Sequence, residues 1–140
     1  MYINTIKTCR KKQEIMMFVF SINNINELKE YLYNSDFHDA TVLDVQYNLF
    51  EKFMKIIIKT SNRKYNLSFM QIQLLLYVQK VELSNYDSIY SISVEDYPND
   101  LNRLRKDLVY DIDNCICLLF QMFSGVEVYV LSNTFTIEIG

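Results

Sequence analysis

A strand-rich α+β fold, with a curved antiparallel sheet or a sandwich, an N-terminal helix and a second helix near 98–110, follows from three features of the sequence. Apolar residues recur at every second position in one stretch after another, the period of half-buried strands. One short segment, 24–35, switches to helical spacing behind an Asn-x-x-Glu start. The 140 residues, half of them hydrophobic, contain no repeat, low-complexity tract or Gly/Ser linker, so they read as one domain, 1–140, with chain enough for its own core.

Residues 1–13 are polar and basic, a loose arm or a short first strand, and the apolar run 15–20 is a short buried strand. Asn24 then caps a helix, with Glu27 completing a capping-box pattern, and Ile25, Leu28 and Leu32 form its narrow apolar stripe. From Ala40 the period returns to two. Leu43, Val45 and Tyr47 share an inward face, Met54, Ile56 and Ile58 follow after a turn, and Tyr65, Leu67 and Phe69 follow after another, an antiparallel meander. Within 71–83, Ile72, Leu74, Leu76 and Val78 occupy one face and Val81 and Leu83 the other, which places a bulge or break near Gln79-Lys80. Tyr90, Ile92 and Val94 give a further strand. Pro98 opens the second helix, whose stripe is Leu101, Leu104 and Leu108. Residues 115–123 are apolar on both faces, and Ser124-Gly125 makes a turn. The segments 126–130 and 134–139 then form a closing hairpin about Ser132-Asn133. With two glycines and one proline in the chain, most turns must be made by Asn, Asp and Ser.

Net charge is −3, divided into +3 over residues 1–64 and −6 over residues 65–140. Without a dense basic patch, nucleic acid is a poor partner, since phosphate neutralisation supplies most of that affinity. Cys9, Cys115 and Cys117 are an odd set with no disulfide spacing, which favours a reducing interior. The run 15–20 is too short for a signal-peptide core or a membrane span, and the expectation is a cytoplasmic protein with no membrane partner.

The stretch 36–47 holds the one histidine, His38, beside Asp36, Asp39 and Asp44. A His-Asp metal phosphohydrolase needs further histidines, and a catalytic triad needs a nucleophile in an elbow context; the chain supplies neither. Asp36, Asp39 and Asp44 lack the spacing of a calcium loop. Zinc at Cys115-x-Cys117 would need ligands from His38 and Cys9, so both thiols read as small buried apolar groups. No catalytic, metal or cofactor site is therefore expected. His38 and Asp39 read as a junction that bonds backbone where helix meets sheet. Glu95, Asp96, Asp100, Asp107, Asp111 and Asp113 form an acidic segment, the best docking place for a basic protein partner. Tyr47 and Tyr65 read as core.

Phe37-His38-Asp39-Ala40 running into 42–47, Leu67-Ser68-Phe69-Met70-Gln71-Ile72, and a terminal hairpin of Phe123-Ser124-Gly125-Val126-Glu127-Val128 closing on 135–139 resemble a diffuse group of small bacterial proteins, the YxiG-like and immunity-protein-like domains. The resemblance covers roughly residues 36–140 and implies a curved sheet with helices and no enzymatic activity. It also implies, for an immunity protein, that the chain binds and blocks a bacterial toxin. The expectation is thus a non-enzymatic protein-binding domain. The alternatives are a hydrolase-like enzyme using His38 and Asp39, and a structural homo-oligomer, a homodimer being the simplest, joined through strand edges and tyrosines.

Overall fold

The computed structural model describes residues 2–7, 14–48, 50–77, 87–95 and 112–140. Eight strands form one antiparallel sheet rather than a sandwich: β1 (Tyr2–Lys7), β2 (Glu14–Phe20), β3 (Thr41–Asn48), β4 (Phe53–Lys59), β5 (Lys64–Tyr77), β6 (Ile89–Val94), β7 (Ile116–Met122) and β8 (Glu127–Ile139). The order β1-β2-β8-β5-β4-β3 is continuous, and β7 pairs β8 and carries β6 on its far edge. Of residues 1–13, Tyr2–Lys7 form a paired first strand, with Tyr2 opposite Val19 and Lys7 opposite Glu14.

β8 is the hub. Along one edge it pairs β5 from Val128 to Ile139. Its opposite edge is divided, β7 taking Glu127 to Ser132 and β2 taking Phe135 to Ile139. The expected turn at Ser132-Asn133 does not form, and the strand runs straight through. The sequence shows a turn there because the inward set changes parity, from Val126, Val128 and Val130 to Phe135 and Ile137. The pleat absorbs that change instead. Leu131 and Ser132 are both buried, and β5 carries its own irregularity opposite them, between Ile72 and Leu74. Gln71 sits just before it with φ 52°, and its side-chain oxygen accepts from Asn133 Nδ2 at 2.9 Å. A left-handed backbone costs a non-glycine residue about 1–2 kcal/mol, which this cross-strand bond helps offset. A bulge therefore lies near Gln71, and Gln79-Lys80, where the sequence places a bulge or break, lies outside the described residues.

The same device shifts faces elsewhere. A bulge between Val42 and Asp44 turns Val42 fully into the core and leaves Tyr47 exposed, while Val45 packs against the core as expected. A register shift between Ile89 and Ser91 buries Ile89 and Ile92 and turns Tyr90 outward. The meander β3-β4-β5 stands as expected, with Met54, Ile56, Ile58, Tyr65, Leu67 and Phe69 all buried. Of β2, Phe18 and Phe20 are buried on one face, with Met16 on that same face exposed, and Met17 and Val19 on the other face are half-buried.

α1 (Ile25–Tyr33) is the one α-helix among the described residues; the segment 98–110 expected to be helical lies outside them. Its start differs from expectation. A 3-10 turn, Ile22–Asn24, precedes it, capped by Ser21, whose hydroxyl accepts from the Asn23 N–H at 3.3 Å. Asn24 faces backwards, accepting from the Ser21 N–H at 2.7 Å and donating to the Val19 carbonyl at 3.0 Å, and makes no side-chain cap to α1. Ending the helix at Asn34-Ser35 is as expected: both residues bond the last carbonyls through backbone and side chain. Leu28 is fully buried, and Ile25, Tyr31 and Leu32 pack beside it against one continuous core.

The sheet is strongly curved but not closed. Its β3 end meets the lead-in to β6 through an isolated bridge, Thr41 to Ser88, and three 2.8 Å bonds: Asp39 N–H to Ile89 O, Ile89 N–H to Ala40 O, and Val42 N–H to Asp87 O. β7 is buried on both faces, as its composition implies. Ile116, Leu118, Phe120 and Met122 join the core, while Cys117 and Leu119 are buried on the other side, beside Cys115. Gly125 holds φ 93° in the β7–β8 turn, a conformation that favours glycine. No helix among the described residues is long and apolar enough to cross a membrane.

Phe135 is the ring on which the hub closes, 4.7 Å from Phe69 and 6.4 Å from Phe20. Phe135→Ala should cost about 3–5 kcal/mol. Phe50→Ala, at a fully exposed ring, should change stability by no more than about 0.5 kcal/mol; urea unfolding of the two variants measures the contrast.

Candidate functional site

Chain connectivity puts two sites within a few residues of one another. The segment after α1 leads into a turn closed by the Ala40 N–H on the Phe37 carbonyl at 3.0 Å, and Phe37 points inward, only 2% exposed, against Tyr31 at 6.3 Å and Tyr65 at 4.9 Å. Its neighbours Asp36 and His38 then serve two different surface features.

On the Asp36 side is a cleft of about 730 Å³. Glu27, Glu30, Tyr31 and Asn34 line it from α1 at spacings of three, four and seven, one helical face. Ser35 and Asp36 continue the wall, and Asn62, Arg63 and Tyr65 close it from the β4–β5 turn. That turn is held by Thr60, whose hydroxyl accepts from the N–H groups of Asn62 and Arg63. Burial alone would raise the Asp36 pKa; hydrogen bonds from Thr60, Tyr65, its own backbone and Asn62 outweigh it and bring it below the ordinary carboxylate value. The Tyr65 hydroxyl donates to Asp36 Oδ1 at 3.0 Å, and burial together with the neighbouring carboxylate pushes that phenol up to about 12. Tyr31 is raised by burial and then by Asp36, with Arg63 acting in the opposite direction. The cleft thus keeps its carboxylate charged and both phenols neutral.

On the His38 side three rings form a triangle: His38 to Tyr90 5.5 Å, His38 to Phe123 5.5 Å and Tyr90 to Phe123 5.4 Å, the last edge-on at 88°. Tyr90 and Phe123 are 52% and 53% exposed. His38 Nδ1 lies 2.7 Å from the Tyr90 carbonyl; a carbonyl only accepts, so Nδ1 carries the proton and Nε2 faces out. Asp39, with φ 69°, has its Oδ1 3.7 Å from Nε2. Asp87 adds a second carboxylate, accepting from Ser124 Oγ at 2.7 Å and from the Ser88 N–H at 2.9 Å.

Of the residues expected to matter, Asp36 lines the cleft, and His38 and Asp39 lie at the ring triangle. His38 does bond backbone as expected, but on β6 rather than at the start of β3, and both side chains are exposed. No Ser, Thr or Cys among the described residues hydrogen-bonds His38. Asp44 caps the Val45 N–H and accepts from Gln46. Glu95 accepts from Ser93 Oγ, and Asp113 is exposed in the 3-10 turn Ile112–Asn114. Asp96, Asp100, Asp107, Asp111 and Cys9 lie outside the described residues. Cys115 donates to Asn133 Oδ1 at 3.0 Å, and burial, then Glu95 and Cys115, push the Cys117 thiol up to about 12. No group of three or more potential metal-ligating residues occurs among the described residues. Sequence reasoning missed Tyr31, Arg63, Tyr90 and Phe123; only the helical spacing of Glu27, Glu30, Tyr31 and Asn34 offered a signal.

Tyr65 gives a pH signature of the cleft. Its folded pKa lies above the ordinary 10.0, so its stabilising contribution is complete below pH 10 and is lost as pH rises towards 12. Tyr65→Phe should flatten the stability curve in that window, measured by urea unfolding at successive pH values. Asp36 acts at the other end, its contribution fading as pH falls through and below the carboxylate range. His38→Ala should lower stability by about 1 kcal/mol through the lost bond to the Tyr90 carbonyl; unchanged thermal melting would contradict that role.

No protein-family profile matches the chain, and no curated protein matches it at a significant level.

Proposed function

We propose that the chain is a non-enzymatic protein-binding domain whose docking surface is the His38–Tyr90–Phe123 triangle. The observation that carries this is two large aromatic side chains, each half exposed, packed on each other and on a histidine instead of being drawn into the core. Aromatic residues that combine wide contact area with few rotatable bonds are the usual anchors of protein interfaces. Asp39 and Asp87 rim the triangle, which favours a basic partner. The resemblance of Phe37-His38-Asp39-Ala40 and its following strand to immunity-protein-like domains supports a toxin as that partner, blocked by occlusion of its surface.

A hydrolase-like enzyme is the second reading. The Nδ1–H bond to the Tyr90 carbonyl that turns His38 Nε2 to solvent is the observation in its favour, since general bases are commonly oriented that way. The absence of a hydroxyl or thiol bonded to Nε2 among the described residues is why binding is preferred.

Co-purification of the full chain with the products of its neighbouring genes tests the proposal. A Tyr90→Ala/Phe123→Ala double variant should keep its melting temperature to within a few degrees and lose about tenfold or more in affinity for the captured toxin. Phe50→Ala, at an exposed ring elsewhere, should bind as the parent does. Equal affinity of the double variant would move the interface off the triangle, and failure to bind or neutralise any neighbouring product would end the immunity reading.

A further inference from the structure

The ring triangle carries two hydrogen-bond acceptors turned towards each other. His38 donates its Nδ1 proton to the Tyr90 carbonyl at 2.7 Å, so the neutral ring presents a lone pair at Nε2. Asp39 Oδ1 stands 3.7 Å from that nitrogen, and an ionised carboxylate can only accept. The backbone fixes Asp39 in this place, through its left-handed φ of 69° and the bond from its N–H to the Ile89 carbonyl at 2.8 Å. Asp87, at the lead-in to β6, supplies a second carboxylate, tied to Ser124 Oγ beside Phe123. Among the described residues no lysine or arginine ion-pairs with either carboxylate. The groups packed on the imidazole from other elements are the Tyr90 ring of β6 and the Phe123 ring of the β7–β8 turn, each about half exposed.

Taking the triangle as the docking surface proposed above, we infer that it receives an arginine side chain of the partner, and that a proton on His38 competes with that arginine. The guanidinium donates to His38 Nε2 and Asp39 Oδ1 while its plane lies on the exposed aromatic rings. Its five N–H groups form a rigid planar fork that can span two separate acceptors, and its weak hydration lets it stack. A lysine ammonium is a strongly hydrated point charge and gains less from such a surface. An anionic group would meet two carboxylates, and an apolar one would strip water from both acceptors without replacing its hydrogen bonds. Protonation of His38 places an N–H on Nε2, which then donates to Asp39 itself. That closes the acceptor pair and puts a positive charge where the guanidinium must sit. Imidazoles make this change between about pH 5 and 8, so acidification releases the partner.

His38 is the one histidine of the chain, so its ring resonances report on this site alone. The experiment titrates N-acetyl-arginine amide into the full chain and follows the His38, Tyr90 and Phe123 rings by NMR. Saturable shifts at these three rings are expected, with affinity about fivefold or more weaker at about pH 5.5 than at about pH 7.5. N-acetyl-lysine amide should bind about threefold or more weakly than the arginine probe. Asp39→Asn should weaken the arginine probe about two- to fivefold, as the loss of one exposed charge pair implies. His38→Gln, which does not titrate, should abolish the pH dependence, a readout that lost stability alone would not move. Absent or unsaturable shifts overturn the inference, as do equal affinities at the two pH values, lysine amide binding as tightly as arginine amide, or a pH dependence that survives His38→Gln. The probe is titrated into the chain alone, so its outcome does not depend on capturing a toxin. A toxin that loses affinity for the Tyr90→Ala/Phe123→Ala variant yet binds equally at both pH values keeps the docking surface and overturns the competing proton.

Discussion

A strand whose two edges must both be paired, along different lengths and to different partners, is the constraint on which this fold rests. β8 gives one edge to β5 over almost its whole length and divides the other between β7 and β2. Every buried N–H and carbonyl along it needs a partner, so the three neighbours cannot be positioned independently. The divided edge makes β7 and β2 diverge, and the parity change at Leu131–Asn133 lets both halves of β8 send large side chains into the same core. Phe20, Phe69, Phe120 and Phe135 meet there as a connected set of rings. Curvature is thus a consequence of packing one strand against three, with the bulge near Gln71 taking up the mismatch.

The segment between α1 and β3 couples that core to the surface. Phe37 is drawn in between Tyr31 and Tyr65, and the turn that its carbonyl closes with the Ala40 N–H begins there. Asp36 falls against the β4–β5 turn and His38 against β6 and the β7–β8 turn. Asp39 then takes a left-handed backbone, a conformation aspartate tolerates better than most residues, and places its N–H on the Ile89 carbonyl. The cleft and the ring triangle thus lie on either side of one buried phenylalanine, and their chemistries differ. One is a charged groove beside α1. The other is an exposed apolar face with carboxylates at its rim.

Their electrostatics follow from how each group is held. Asp36 loses some hydration but gains enough hydrogen bonds to stay ionised, and its charge in turn makes ionisation of Tyr65 and Tyr31 harder. Cys117, buried beside Glu95 and Cys115, is a poor thiolate, so its environment is that of a packed residue rather than a reactive one.

The sequence by itself determined the local structure. Alternation placed the strands, and polar residues placed the Ser124-Gly125 turn and the stop at Asn34-Ser35. Those features depend on residues within one turn or one strand, which is as far as periodicity reaches. It failed wherever a partner strand decided the outcome. Val42, Tyr47 and Tyr90 exchanged faces at bulges that only pairing reveals, and Ser132-Asn133 stayed extended because β5, β7 and β2 supply its neighbourhood with more hydrogen bonds than a turn would. Asp36 and His38 were visible as candidates, but their settings were not. Glu30 meets Asn62 and Arg63 across some thirty residues of sequence, and His38 meets Phe123 across more than eighty. Tertiary structure alone could bring those groups together, because the packing of the sheet and α1 around one core, and no local preference, sets which surface residues become neighbours.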